Sequence, residues 1–84
     1  MAKVVIYSKN YCPFCVKAKN LLQKKNVPFE EINLEDKPAE LQALKDRTGL
    51  RTVPQIFIND ELIGGFSELS ALDSTGELDP LLAK

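Results

Sequence analysis

Residues 3–22 read KVVIYSKNYCPFCVKAKNLL, and the order of events within them decides the fold. From Lys3 to Ser8 the chain holds Val4, Val5, Ile6 and Tyr7 in succession, a β-rich run without polar alternation that suits a central strand covered on both faces. Asn10 and Tyr11 then lead to Cys12-Pro13. Proline is favoured at the first helical position, where its missing N–H had no intrahelical partner to lose. Between Pro13 and Lys25, the residues Cys15, Ala18, Leu21 and Leu22 gather on one side while Lys17, Lys19, Asn20, Gln23 and Lys24 supply the wet side. The spacing predicts an amphipathic helix.

Working outward, Val27 to Leu34 reads as a second strand begun by Pro28, and the adjacent Glu30 and Glu31 break its alternation in a way that suits an edge. Pro38 can open a second helix on which Leu41, Leu44 and Thr48 share a face, with Gly49 as its left-handed stop. Two short strands follow, Gln55 to Ile58 and Glu61 to Ile63. They are separated by Asn59-Asp60, which tolerate the positive φ of a tight hairpin turn, and Gly64-Gly65 closes the hairpin. Ser67 is expected to cap a third helix that carries Leu69 and Leu72 and ends near Gly76; Leu78, Leu81 and Leu82 imply a last short helical turn. The order βαβαββαα predicts an α/β fold, a four-stranded mixed sheet with helices on both faces and a right-handed first crossover. No linker, repeat or low-complexity segment interrupts it, so residues 1–84 are expected to form a single domain.

Composition narrows the function. A formal net charge of -1 provides no basic field for a nucleic-acid backbone. The longest apolar stretches are too short to span a bilayer, and the N-terminus lacks a signal-type run, so the expected setting is cytoplasmic with no membrane association. Cys12 and Cys15 are the two cysteines, and there is no histidine. A close cysteine pair in such a chain points to redox or metal chemistry before a structural disulfide. One CxxC supplies two of the four ligands that a closed zinc site needs, so no metal site is expected.

Residues i and i+3 of a first helical turn lie about 5–6 Å apart between Cβ atoms, close enough for a disulfide to open and close. Cys12 also sits where unpaired backbone N–H groups and the positive end of the helix dipole favour a thiolate, and Lys9 adds a positive charge three residues upstream. Cys12 is thus the expected attacking sulfur. Cys15, one turn further in and on the apolar side, fits a less ionised resolving thiol.

These residues, CPFC after YSKNYC (7–12), RTVPQIFIND (51–60) and GGFSELSALDSTGELDPLL (64–82), resemble the glutaredoxins along nearly the whole chain. The PQIF and LDPLL stretches look like the bacterial dithiol members. Thioredoxin itself is a poorer match, because its WCGPC motif needs a tryptophan. The resemblance implies a thioredoxin-like (glutaredoxin) fold and a glutathione-dependent thiol-disulfide oxidoreductase acting on protein-glutathione mixed disulfides and protein disulfides. It further implies a cis Pro54, with Thr52 and Val53 offering backbone hydrogen bonds to the cysteinyl unit of glutathione. Gly65, Phe66 and Ser67 would take the γ-glutamyl carboxylate on helix N–H groups, Lys9 and Arg51 would face the glycyl carboxylate, and Phe14 would pack beside the tripeptide.

Blander roles stay open for the same positions: a trans proline, glycines that only end a hairpin, a serine that only caps, and solvated cations. The sequence departs from the family pattern at Phe14, where Tyr is commoner, at Phe66, where many members have Cys, and at Glu68, where Asp is usual. The implied partners are glutathione, as co-substrate, and disulfide-containing or glutathionylated proteins. The chain is expected to work as a monomer with no bound cofactor. The competing reading is a carrier in which two chains each present Cys12 and a glutathione thiolate to a [2Fe-2S] cluster.

Overall fold

In the computed structural model, residues 2–84 are described. The elements are β1 (Val4–Ser8), α1 (Pro13–Lys24), β2 (Glu30–Asn33), α2 (Pro38–Thr48), β3 (Gln55–Ile58), β4 (Glu61–Gly64), α3 (Phe66–Ser74) and α4 (Leu78–Ala83). The sheet order is β2-β1-β3-β4, with β1 parallel to β2 and antiparallel to β3, and β3 antiparallel to β4. β1 is central and β2 an edge, as the hydrophobic runs predicted.

Register sorts the side chains into two faces. Val4 lies opposite Ile58 and Ile6 opposite Ile56, and all four are buried. They join Ala18 and Leu22 of α1, Leu69 of α3, and Leu78 and Leu82 of α4 in one core. On the other face Tyr7 meets Phe57 edge-on at 5.7 Å, and the Arg47 guanidinium of α2 lies 5.3 Å from the Phe57 ring. There the expectation of full cover for β1 is corrected. Val5 and Tyr7 are only half-buried, because Leu44 is the buried side chain that α2 brings to this layer.

The second strand is shorter than its apolar pattern suggested. The Val27 N–H bonds back to the Leu22 carbonyl at 3.2 Å, so the residues after Lys25 complete the exit from α1, and Asn26 turns the chain with φ 58°. Gly49 ends α2 at φ 76°, its N–H on the Lys45 carbonyl at 2.8 Å. Asn59 and Asp60 take the hairpin turn at φ 52° and 67°. In β4, Leu62 faces Phe57 and Gly64 faces Ile56, so Ile63 is the extra residue of a bulge just before α3.

Ser67 does not cap α3. The helix starts at Phe66, Gly65 is the N-cap, and the Gly65 N–H donates to Glu68 Oε1 at 2.7 Å. A glutamate three residues past the cap satisfies that N–H from inside the helix, which leaves Ser67 free in the first turn. Gly64 must be glycine for this arrangement: its φ is 123°, and a Cβ there would fall 2.8 Å from Glu68 Cγ. At the far end, Lys25 bridges Asp73 (2.6 Å) and Asp79 (3.0 Å), tying the end of α1 to α3 and α4.

Candidate active site

Cys12 is the N-cap of α1. Its backbone is extended at φ -110° and ψ 102°, its Sγ accepts the Cys15 N–H at 3.2 Å, and its carbonyl accepts the Val16 N–H at 3.1 Å. The sulfur therefore occupies the place that an oxygen holds in an ordinary N-cap, at the positive end of the helix. Its thiol also faces the Val53 carbonyl, 3.7 Å away. Cys12 is half-buried and Cys15 is buried, and both thiols are free.

Burial pushes the Cys15 thiol up to about 12, helped by its hydrogen bond with Cys12; the backbone at Lys9 and the charge of Lys19 act in the opposite direction. At neutral pH this group is a thiol. The fold therefore keeps the Cys15 proton well above 9.0, the value at which an unperturbed cysteine releases it. Within that window the unfolded chain binds fewer protons than the native one, so stability is intact below it and falls as pH rises through it. Chemical denaturation of the reduced protein in steps from pH 8 to 11 is expected to show wild type losing stability relative to Cys15→Ala; parallel curves would remove the basis for this reading.

On one side of Cys12, the residues Phe14, Thr52, Val53, Pro54, Gly65, Phe66, Ser67 and Glu68 line a cleft of about 420 Å³. Phe14 and Phe66 stack at 6.3 Å and form its apolar wall. The Val53-Pro54 peptide is cis, and a Cβ placed on Gly65 would lie 3.4 Å from the Pro54 carbonyl, so the loop and the start of α3 are close neighbours. Of the residues expected to touch glutathione, Phe14, Thr52, Val53, Pro54, Gly65, Phe66 and Ser67 come together here, while Lys9, Cys12 and Arg51 are not part of its lining. Lys9 stands on the opposite side of Cys12, where it lines a second cavity of about 370 Å³ with Cys15, Lys19 and Glu31. Arg51 is exposed on the loop before Thr52.

Sequence reasoning missed Gln55. This fully buried amide donates through Nε2 to the carbonyls of Leu50 and Thr52, both at 3.1 Å, and so pins the loop that presents Val53 to Cys12. The available signal was a polar residue opening an otherwise apolar strand. Also missed was the chain Ser8–Glu31–Lys19 behind the thiols. The Ser8 hydroxyl donates to Glu31 at 2.6 Å, Lys19 pairs with the same oxygen at 3.0 Å, and these contacts, the hydroxyl first, hold the Glu31 carboxyl below its usual range.

A family model described as glutaredoxin matches residues 4–63. The chain belongs to the glutaredoxin family. It is 53% identical to a probable glutaredoxin of Synechocystis sp., over 98% of this chain and 76% of that one. It is 49% identical to glutaredoxin 3 of Escherichia coli, over 98% and 99% respectively. Among solved structures, the buckwheat glutaredoxin-glutathione complex superposes with a TM-score of 0.91 at 34% identity, covering 98% of this chain and 77% of that one. Glutaredoxin C1 of Populus tremula x tremuloides, in its holo form, superposes at 0.92 with 35% identity over 98% and 77%. This glutaredoxin has the thioredoxin-like fold of its relatives and is a dithiol, glutathione-dependent thiol-disulfide oxidoreductase with a CxxC active site. No helix among its described residues is long and apolar enough to cross a membrane.

Proposed function

We propose that Cys12 is the nucleophile and Cys15 the resolving thiol, and that glutathione lies in the cleft between Phe14, the Thr52–Pro54 loop and the first turn of α3. With a protein-glutathione mixed disulfide, the Cys12 thiolate attacks the glutathionyl sulfur, and the S–S bond breaks to release the protein thiolate, which takes up a proton. A second glutathione thiolate then attacks the Cys12-glutathione bond and leaves as glutathione disulfide. With a protein disulfide, Cys12 forms a mixed disulfide that Cys15 resolves, and glutathione reduces the resulting Cys12-Cys15 bridge.

The observation that carries this reading is the position of the Cys12 sulfur, 3.7 Å from the Val53 carbonyl at the edge of the cleft. A cysteinyl unit joined to that sulfur has backbone partners in Thr52 and Val53 within reach. Phe66 and Ser67, in the first turn of α3, aim N–H groups at a carboxylate, and Glu68 supplies negative charge for an ammonium. Lys9, beside Cys12 but outside the cleft, fits the incoming thiolate better than the bound tripeptide. On this reading the chain works as a cytoplasmic monomer on glutathionylated and disulfide-containing proteins, without a metal or prosthetic group.

The test is an NMR map of the Cys15→Ser variant with glutathione joined to Cys12. Amide shifts are expected at Thr52, Val53, Gly65, Phe66 and Ser67. Shifts confined to the Lys9–Glu31 side would overturn the placement of the ligand. A coloured dimer that loses its absorbance when glutathione is removed under anaerobic conditions would favour the cluster carrier instead.

A further inference from the structure

We propose that Lys19 assists the resolving step by favouring the thiolate of Cys15, and that the Ser8–Glu31 pair holds Lys19 in place for it. The inference rests on the reading of Cys15 as the resolving thiol and adds the group that activates it.

Resolution poses a problem that the first attack does not. Cys15 is 1% exposed and carries its proton at neutral pH. Once Cys12 is tied up in a mixed disulfide it bears no charge and offers no thiolate to accept a hydrogen bond. The Cys15 proton must then leave to solvent before its sulfur can attack Cys12. The route lies on the side away from the glutathione cleft, where the second cavity is bordered by Cys12, Cys15, Lys19 and Glu31.

Lys19 follows Cys15 by four residues on α1, so the two share one helix face, and helical side chains lean toward the N-terminus, over the preceding turn. The ammonium does not swing freely. It pairs with Glu31 Oε2 at 3.0 Å, and the same oxygen accepts the Ser8 hydroxyl at 2.6 Å. Glu31 and Ser8 sit on β2 and β1, so two strands fix where the positive charge stands.

The other charged or titratable groups around Cys15 are Lys9, Tyr11 and Cys12 in the approach to α1 and Glu31 on β2. On α3, Glu68 is engaged by the Gly65 N–H. Of the side-chain charges acting on Cys15, the Lys19 ammonium is the one that favours its ionisation.

The step balances. Cys15 loses a proton to solvent, its thiolate forms a bond to the Cys12 sulfur, the Cys12–S bond to substrate breaks, and the departing thiolate takes up a proton. The cysteine pair is oxidised and the substrate disulfide reduced. Because Glu31 neutralises part of the Lys19 charge and the pair is a quarter to a third exposed, the effect is limited to about three- to tenfold in rate.

The experiment loads Cys12 with thionitrobenzoate from the corresponding aromatic disulfide and follows release of the second coloured thiolate by stopped flow. Lys19→Met is expected to slow that release about three- to tenfold at neutral pH and to move its pH profile to higher pH, while Lys19→Arg stays within about twofold of wild type. In a Cys15→Ser background, turnover of a glutathione mixed disulfide reads Cys12 alone, and adding Lys19→Met there is expected to change it less than twofold. An unmoved pH profile, or an equal loss with and without Cys15, would overturn the role of Lys19. Loss of turnover in Cys15→Ser itself would instead strike at the assignment of the two thiols.

Discussion

Cys12→Ser is expected to lower glutathione-coupled turnover of a small glutathione mixed disulfide by at least about a thousandfold, because the serine hydroxyl stays protonated where the sulfur gives a thiolate nucleophile. No second group can substitute: the chain lacks histidine, and the other sulfur is buried and held as a thiol. Cys15→Ser should behave differently. It keeps the Cys15 N–H that Cys12 Sγ accepts at 3.2 Å, since that donor is backbone. Turnover of the mixed disulfide is therefore expected within about tenfold of wild type, whereas catalytic reduction of an intramolecular protein disulfide falls by more than about tenfold for want of a resolving thiol. A coupled assay with both substrates decides. A Cys15→Ser enzyme equally dead on the mixed disulfide would show that the two cysteines act as one unit and refute the division of labour.

The unequal placement of the two thiols, one at the helix mouth and one buried, was legible in the sequence because it follows from local geometry. A β run, three spacer residues and Cys-Pro place the first cysteine at a helix mouth whatever the rest of the chain does, and the i+3 spacing sends the second into the apolar stripe. Hairpin and helix stops were legible for the same reason: Gly49, Asn59 and Asp60 take the positive φ values that their residue types tolerate. What the sequence hid is what strands bring together across distance. Ser8, Lys19 and Glu31 belong to three different elements, and each alone reads as a solvated polar residue. Gln55 looked like the start of a strand, and its grip on Leu50 and Thr52 depends on a loop folding back over it. Ser67 misled because its residue type is the usual cap, while the one-way bond from the Gly65 N–H to the Glu68 carboxylate depends on a glycine with no side chain to announce it. The incomplete cover over Val5 and Tyr7 was equally invisible, since their pattern records that both faces are apolar and not how far α2 extends over one of them.

Leu69→Ala is expected to destabilise the protein by about 3–4 kcal/mol, near the middle of the range for a buried leucine that leaves a cavity. Leu69 is fully buried where α3 meets α1 and the sheet, in contact with a core drawn from β1, β3 and three helices. Few neighbours there can move to fill the space. Total stability for a small domain is about 5–15 kcal/mol, so the loss is a large share of it and should lower the melting temperature by about 12–32 °C. Leu44→Ala is the internal comparison. It is also buried, but it sits on the partly open face beyond that core, where α2 can settle toward the sheet, and about 2 kcal/mol is expected. Urea denaturation of both variants under reducing conditions checks the order, and a Leu69→Ala loss below about 1 kcal/mol, or a larger loss for Leu44→Ala, would contradict the division of the fold into one closed and one open layer. The site should outlast the stability. The first turn of α3 is fixed by backbone contacts, with the Leu69 N–H on the Gly65 carbonyl at 3.1 Å and the Gly65 N–H on Glu68, and alanine preserves both. At temperatures well below the lowered melting point, KM for the glutathione mixed disulfide is accordingly expected within about twofold of wild type, which separates the packing that keeps α3 in the fold from the N–H groups it offers to the cleft.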